Sequence, residues 1–181
     1  VAWIKAEKNP VNYGSGGIGS IGHLVGETMK KDLGLRMEHV GYKGSSPMHN
    51  DLLGGTLQFA VDTYTNNVPF MKEGKLIGIA VTSRARMALT PNVPTVGEAG
   101  YPKLVAENFL GISAPAGVPR EVVERVHKAV AEAVARPDVA RRLDDLGVVP
   151  SRMSQVEFSD FVARQVAEWS PAVKASGARM N

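Results

Sequence analysis

Between residues 11 and 81 the sequence keeps changing period, from the two-residue alternation of a strand to the spacing of an amphipathic helix and back. Strands separated by helical segments return in the same direction, so the pattern demands a mainly parallel sheet flanked by helices. The first strand is Val11-Asn12-Tyr13, and it runs into the glycine-rich turn Gly14-Ser15-Gly16-Gly17-Ile18-Gly19-Ser20. A helix follows, with Ile21, Leu24, Val25, Thr28 and Met29 on one face, Lys30 and Lys31 in its last turn, and Gly34 as its stop. Met37 to Tyr42 reads as the second strand. Ser46-Pro47 opens a helix with proline at the first helical position, and that helix stops at Gly54-Gly55. Leu57 to Val61 is the third strand, ending at Asp62. A helix around Val68 to Lys72 ends at Gly74, and Leu76 to Val81 is expected as a fourth strand.

The rest of the chain changes character. Residues 85–102 are rich in proline and glycine and read as an irregular connection long enough to have a purpose. Phe109 to Ala114 is expected to be an apolar strand. Pro119 then opens a helix with Val122, Val123, Val126, Ala129, Val130, Ala133 and Val134 on one face, interrupted before Pro137. A short helix from Asp138 ends at Gly147. The last helix opens with a capping box, Ser154-x-x-Glu157, carries Phe158, Phe161, Val162 and Trp169 on one stripe, and meets a proline at Pro171 that should kink or divide it. One strand among several helices is too little sheet for an independent domain. Residues 1–105 therefore read as one nearly complete α/β domain, and residues 106–181 as half of another. Val1 to Lys8 read as the last turns of an amphipathic helix, so the chain is expected to begin mid-fold, with no signal peptide of its own.

Composition excludes several classes of function. There is no cysteine, hence no disulfide, thiolate metal site or cysteine nucleophile. The net charge of +3 comes from Lys and Arg dispersed among Asp and Glu, without the concentrated basic stripe of a nucleic-acid binder. No apolar run has the length of a membrane-spanning helix. His23, His39, His49 and His127 show no i, i+4 pair for a helical metal site, and no metal or other cofactor is expected. No G-x-S-x-G elbow, Ser-His-Asp set or paired-carboxylate set can be assigned, which argues against an enzyme.

In an open parallel sheet, ligands bind beyond the carboxyl ends of the strands. That rule selects Ser15, Gly16, Gly17, Gly19 and Ser20 after the first strand, Tyr42 and Lys43 after the second, Asp62 after the third, and Thr82 and Ser83 after the fourth. A helix starting at Ser20 offers free N–H groups and a partial positive charge, which suit an anion, and glycines let the backbone approach it. A tight turn with Ser20 as a plain N-cap is the competing reading. For Asp62 the competing reading is a cap on the next helix, and for His23, in the first turn after the glycines, it is a structural role. Gly14 to Gly19 also matches G-x-G-x-x-G. A dinucleotide site needs an acidic residue near the end of the next strand, and that strand ends instead in Tyr42-Lys43.

Taken in order and at their spacing, several segments resemble one family. They are Tyr13 to Ser20 with His23-Leu24, Tyr42-Lys43-Gly44 with Pro47, and Asp51 to Gly55. Further along come Gly74-Lys75-Leu76 with Ala80 to Ser83, Pro91 to Thr95 with Glu98 and Gly100, and Ala114 to Gly117. Together they resemble the periplasmic solute-binding proteins of tripartite tricarboxylate transporters, the TctC or Bug type. The resemblance implies a two-domain, hinged, periplasmic-binding-protein-like fold that closes on a small carboxylate and hands it to membrane subunits. It implies ligand contacts at Ser15, Gly17, Gly19, Ser20, His23, Tyr42, Lys43 and Asp62, and a periplasmic location. Gly41 departs from the proline usual there, and Thr63 from the frequent asparagine. The first-domain strands and their Pro-Gly-Gly loop are absent, so the first domain is expected to be incomplete, with apolar surface that favours self-association. The alternatives are an α/β enzyme using the glycine turn for a nucleotide or phosphoester, and a sensor or adaptor with the same binding fold.

Overall fold

The computed structural model of the chain describes residues 1–178. The last three residues of the expected second block, 179–181, lie outside the described residues. The chain forms two compact units: one is Val1–Asn108 with the terminal stretch from Trp169, the other is Phe109–Glu168.

In the first unit, helix α1 (Ala2–Ala6) leads to strand β1 (Val11–Ser15), helix α2 (Ile21–Asp32), strand β2 (Met37–Gly41), helix α3 (Ser45–Leu53), strand β3 (Phe59–Ala60) and helix α4 (Tyr64–Lys72). The sheet is parallel with order β2-β1-β3, so β1 is central; Tyr13 is flanked by His39 on one side and Phe59 on the other. This is the expected helix-flanked parallel sheet. A parallel sheet is covered on both faces, which is why β1 alternates only at its start and then stays buried from Tyr13 to Ser15. The core forms around Ile4, Val11, Tyr13, Leu35 and Met37. Each large side chain of this kind contributes roughly 1.5–3 kcal/mol on leaving water.

Two glycines set how closely the layers approach. A Cβ on Gly14, in mid-strand, would lie 2.5 Å from Leu57 Cδ2 and 2.9 Å from Met48 Cγ, so the bare backbone lets α3 settle on the sheet. A Cβ on Gly26 would lie 2.1 Å from the ring of Tyr13, so α2 can cover that ring only there. Helix α2 ends as expected. Gly34 is in the left-handed region (φ +61°), and the Leu35 N–H donates to the Lys30 carbonyl (3.0 Å), with Leu35 buried beneath the turn.

Several elements differ from the sequence expectation. Helix α3 begins at Ser45, so Pro47 is its third residue rather than its first; its missing N–H would have been unpaired there in any case. The third strand is only Phe59–Ala60. The fourth strand is not formed: residues 76–80 alternate inward and outward as a strand would, but Val81 makes a single parallel bridge to Thr95. The proline- and glycine-rich connection is fastened instead by side chains. Arg86 Nε donates to both oxygens of Glu98 (3.0 Å each), and Glu98 exchanges hydrogen bonds with Thr95.

In the second unit the apolar segment Phe109 to Ala114 forms no strand. Helices α5 (Arg120–Ala135) and α6 (Pro137–Asp145) occur where the periodicity placed them, and helix α7 (Gln155–Ser176) begins there and runs on past Glu168. The capping box is present: the Ser154 N–H donates to Glu157 Oε2 (2.8 Å), and the Glu157 N–H donates to Ser154 Oγ (3.3 Å). Pro171 lies inside α7 without dividing it.

Candidate functional site

The glycine turn after β1 is held from below. Ser15 is fully buried and its hydroxyl is the hub: it accepts from the Gly17 N–H (3.3 Å) and the Ser20 hydroxyl (3.2 Å) and lies 2.7 Å from His39 Nε2. The Ser15 hydroxyl also donates to the Gly17 carbonyl (3.0 Å), and the direction of its bond to His39 Nε2 follows the tautomer of that ring. The Gly19 N–H donates to His23 Nδ1 (3.1 Å), so the His23 ring acts as an acceptor. The two imidazoles stack with centroids 4.0 Å apart. Burial pushes both away from the charged form, His39 down to about 4 with His23 as the second cause. Tyr13 completes the group, donating its hydroxyl to Glu27 Oε1 (2.9 Å), and burial, with that bond second, holds it far above the ordinary phenol range.

Helix α2 starts as the turn dictates. Ser20 is the N-cap, and its Oγ accepts from the His23 N–H (3.3 Å). The amides of Gly17, Gly19, Ser20 and His23 are therefore all engaged within the protein. The N–H groups left open at this helix start are those of Ile21 and Gly22, its first two residues.

Ile21 and Gly22 line a cavity of about 220 Å³ together with Gly16, Ser20, Gly44, Ser45, Val61, Asp62 and Thr63. The lining is where strand ends and helix starts meet. Ser20 caps α2, Gly44 caps α3 and Thr63 caps α4, and neither Gly44 nor Thr63 contributes a side-chain cap bond. Three helix N-termini thus converge on one small space, each adding unpaired N–H groups and a partial positive charge. Two close contacts shape it. A Cβ on Gly22 would fall 2.1 Å from the Val61 carbonyl oxygen, and the Gly44 N–H donates to the Gly16 carbonyl (3.0 Å). A larger hollow of about 490 Å³ runs between the flanks of α3 and α4, lined by His49, Asn50, Asn66 and Phe70, and it shares Ser45 with the first.

Asp62 lines the smaller hollow and meets Ser45 and His49, which line the larger. Its carboxylate accepts from Ser45 Oγ (2.8 Å) and Asn67 Nδ2 (3.3 Å), and His49 Nε2 lies 3.6 Å away. It therefore binds side chains of α3 and α4 rather than capping α4. The chain brings Gly16, Ser20 and Asp62 onto the cavity wall, while Ser15, Gly17, Gly19 and His23 build the turn. Tyr42 spends its hydroxyl on Asp51 Oδ2 (2.7 Å), a bond that raises its pKa, and Lys43 is exposed. Thr82 and Ser83 bond to the carbonyls of Ala106 and Ala85 (2.7 Å each). The sequence reading missed Ile21, Gly22, Ser45 and the Asn67–His49 support. Ile21 and Gly22 follow from the rule that a helix's first amides are open, applied one step past the cap.

Among the described residues no group of three or more His, Cys, Asp or Glu is arranged to hold a metal, and no helix is long and apolar enough to cross a membrane. A helix-flanked parallel sheet with a cavity where strand ends and helix starts meet is shared with the periplasmic-binding-protein-like folds. Over residues 1–178 the chain matches the model of the tripartite tricarboxylate transporter family receptors, and it belongs to that family. One relative, the UPF0065 protein in the tcbD-tcbE intergenic region of Pseudomonas sp. (strain P51), is 30% identical over 171 residues, covering 93% of this chain and 51% of its own length. Among solved structures, R. palustris Rpa4515 with adipate has a TM-score of 0.86 at 28% identity, covering 98% of this chain and 59% of that one. MatC (Rpa3494) from Rhodopseudomonas palustris with bound malate has a TM-score of 0.83 at 27% identity, covering 95% and 60%. The chain spans about half the length of the curated relatives it matches. Its family is one of periplasmic solute receptors rather than enzymes.

Proposed function

We propose that this chain carries the anion-receiving wall of an extracytoplasmic receptor for a small carboxylate, a di- or tricarboxylate or a related acid. The receptor delivers its ligand to the membrane subunits of a tripartite tricarboxylate transporter. The observation that carries the reading is the convergence of three helix starts on one cavity of about 220 Å³. One carboxylate of the ligand lies against the Ile21 and Gly22 amides beside Ser20. Ser15, Gly17, Gly19 and His23 hold the turn in the shape that presents those amides. Tyr42 ties the second turn to α3 through Asp51, and Lys43 adds long-range attraction for anions. Residues 1–105 then form the second lobe, and residues 106–181 belong to the first. The adipate and malate bound to the two relatives are consistent with a ligand of this class.

Calorimetry of the intact, folded protein against di- and tricarboxylates tests the reading, with saturable binding and no turnover expected. Gly22→Ala should weaken the tightest acid about tenfold or more, because the new methyl meets the Val61 carbonyl and shifts the helix start. Silent titrations across the whole panel would sink the proposal.

A further inference from the structure

We infer that Asp62 makes the cavity selective for acids that carry a hydrogen-bond donor, a hydroxyl or an ammonium, on the carbon next to the bound carboxylate. This rests on the carboxylate-binding reading above and narrows its ligand class.

The starting point is an acid in the wall of a space built for an acid. Asp62 lines the cavity alongside Ser20, Ile21 and Gly22, with its side chain only 6% exposed. A carboxylate presents about four acceptor positions. Two are used: Ser45 Oγ donates to Oδ1 at 2.8 Å, and Asn67 Nδ2 donates to Oδ2 at 3.3 Å.

His49 does not fill the remainder. Asn67 also donates to the Thr63 carbonyl (2.8 Å), so both its donor contacts come from Nδ2 and its Oδ1 is turned to His49. His49 Nε2 therefore carries a proton and spends it on that oxygen at 3.1 Å, while its distance to Asp62 stays at 3.6 Å. No Lys or Arg pairs with Asp62 among the described residues.

Asp62 is thus a sheltered acceptor with capacity to spare, beside amides that attract an anion. A plain carboxylate there meets a like charge with no proton between the two. A donor on the adjacent carbon places a hydrogen between them, satisfying Asp62 while the ligand's own carboxylate keeps the Ile21 and Gly22 amides. Sites built to hydrogen-bond a ligand group discriminate strongly against analogues lacking it.

The test compares four-carbon diacids of equal length by calorimetry on the intact protein at one pH: succinate without a donor, malate with a 2-hydroxyl, and aspartate with a 2-ammonium. At least one donor-bearing acid should bind about tenfold or more tighter than succinate, and which of the two does so identifies the donor. Asp62→Asn, whose amide can itself donate, should narrow that ratio to within about threefold. The wild-type comparison needs no variant, so it holds even where Asp62→Asn fails to fold. Equal binding of all three acids would overturn the inference and leave the receptor reading standing. An undiminished ratio in a folded Asp62→Asn protein would remove Asp62 from the role. Binding of none of the carboxylates, these three or the wider panel of di- and tricarboxylates, would fail the parent reading and this inference with it.

Discussion

The two units of the chain carry similar apolar patterns and treat them in opposite ways. In Val1–Asn108 the strand and helix faces close on one another, and Tyr13, Met37 and Met48 are removed from water. In Phe109–Glu168 no residue is fully removed from water: Leu110 is 86% exposed and Val149 84%, and the valine stripe of α5 is uncovered at Val126 and Val130. The helices themselves are sound, with a regular α5 and a reciprocally capped start to α7. An amphipathic stripe specifies a helix locally, but burial requires a partner surface. The first unit supplies its own partner through the sheet, and the second has one aromatic cluster, where Phe109 packs edge-on against Phe161 at 5.0 Å.

The largest expected effect sets the two units directly against each other. Met37→Ala should cost about 2–4 kcal/mol, since it empties a fully enclosed site. Val126→Ala should change stability by less than about 0.5 kcal/mol, because it trades exposed surface for better helix propensity. Urea unfolding followed by far-ultraviolet circular dichroism measures both, and comparable losses would erase the contrast.

Next comes acid sensitivity confined to the first unit. The folded-state pKa of His39 is lowered to about 4 from 6.5, chiefly by burial and then by His23. Between those values the unfolded chain binds a proton that the folded chain refuses, so stability is full above pH 6.5 and drains as pH falls toward 4. His39→Gln should flatten that decline in urea midpoints taken between pH 7 and pH 4.5; an unchanged slope would exclude this pair as the cause.

A smaller effect belongs to the second unit. Ser154→Ala removes both side-chain bonds of the α7 cap and should cost about 1 kcal/mol or less of helix stability. Circular dichroism thermal scans would show it as a small loss, and a collapse of the fold would mean that the cap is holding far more than a helix end.

The local geometry of the glycine turn is legible in the sequence. The glycine turn, the cap at Ser20 and the stop at Gly34 each rest on contacts a few residues apart, and all are present. Pro47 misled the start of α3 because proline is tolerated anywhere its N–H would be unpaired, which leaves three positions open. The fourth strand misled for another reason. Residues 76–81 carry the right alternation, yet a strand exists only where a neighbour accepts its hydrogen bonds, and β3 is two residues long. His23 was placed correctly in the first turn of α2, but nothing local says that its ring accepts from Gly19 and stacks on His39, sixteen positions away.

The sequence by itself determined the helices, the Ser20 and Ser154 caps and the turn glycines, which depend on interactions within one or two helical turns. The tertiary structure decided which open groups face one another. It set the helix starts at Ser20, Gly44 and Thr63 around one cavity, tied the Gly17, Gly19 and Ser20 amides to the protein, and turned Asp62 toward Ser45 and Asn67. Those choices follow from packing between segments far apart in the chain, where each contact depends on how closely Gly14, Gly22 and Gly26 let the layers approach.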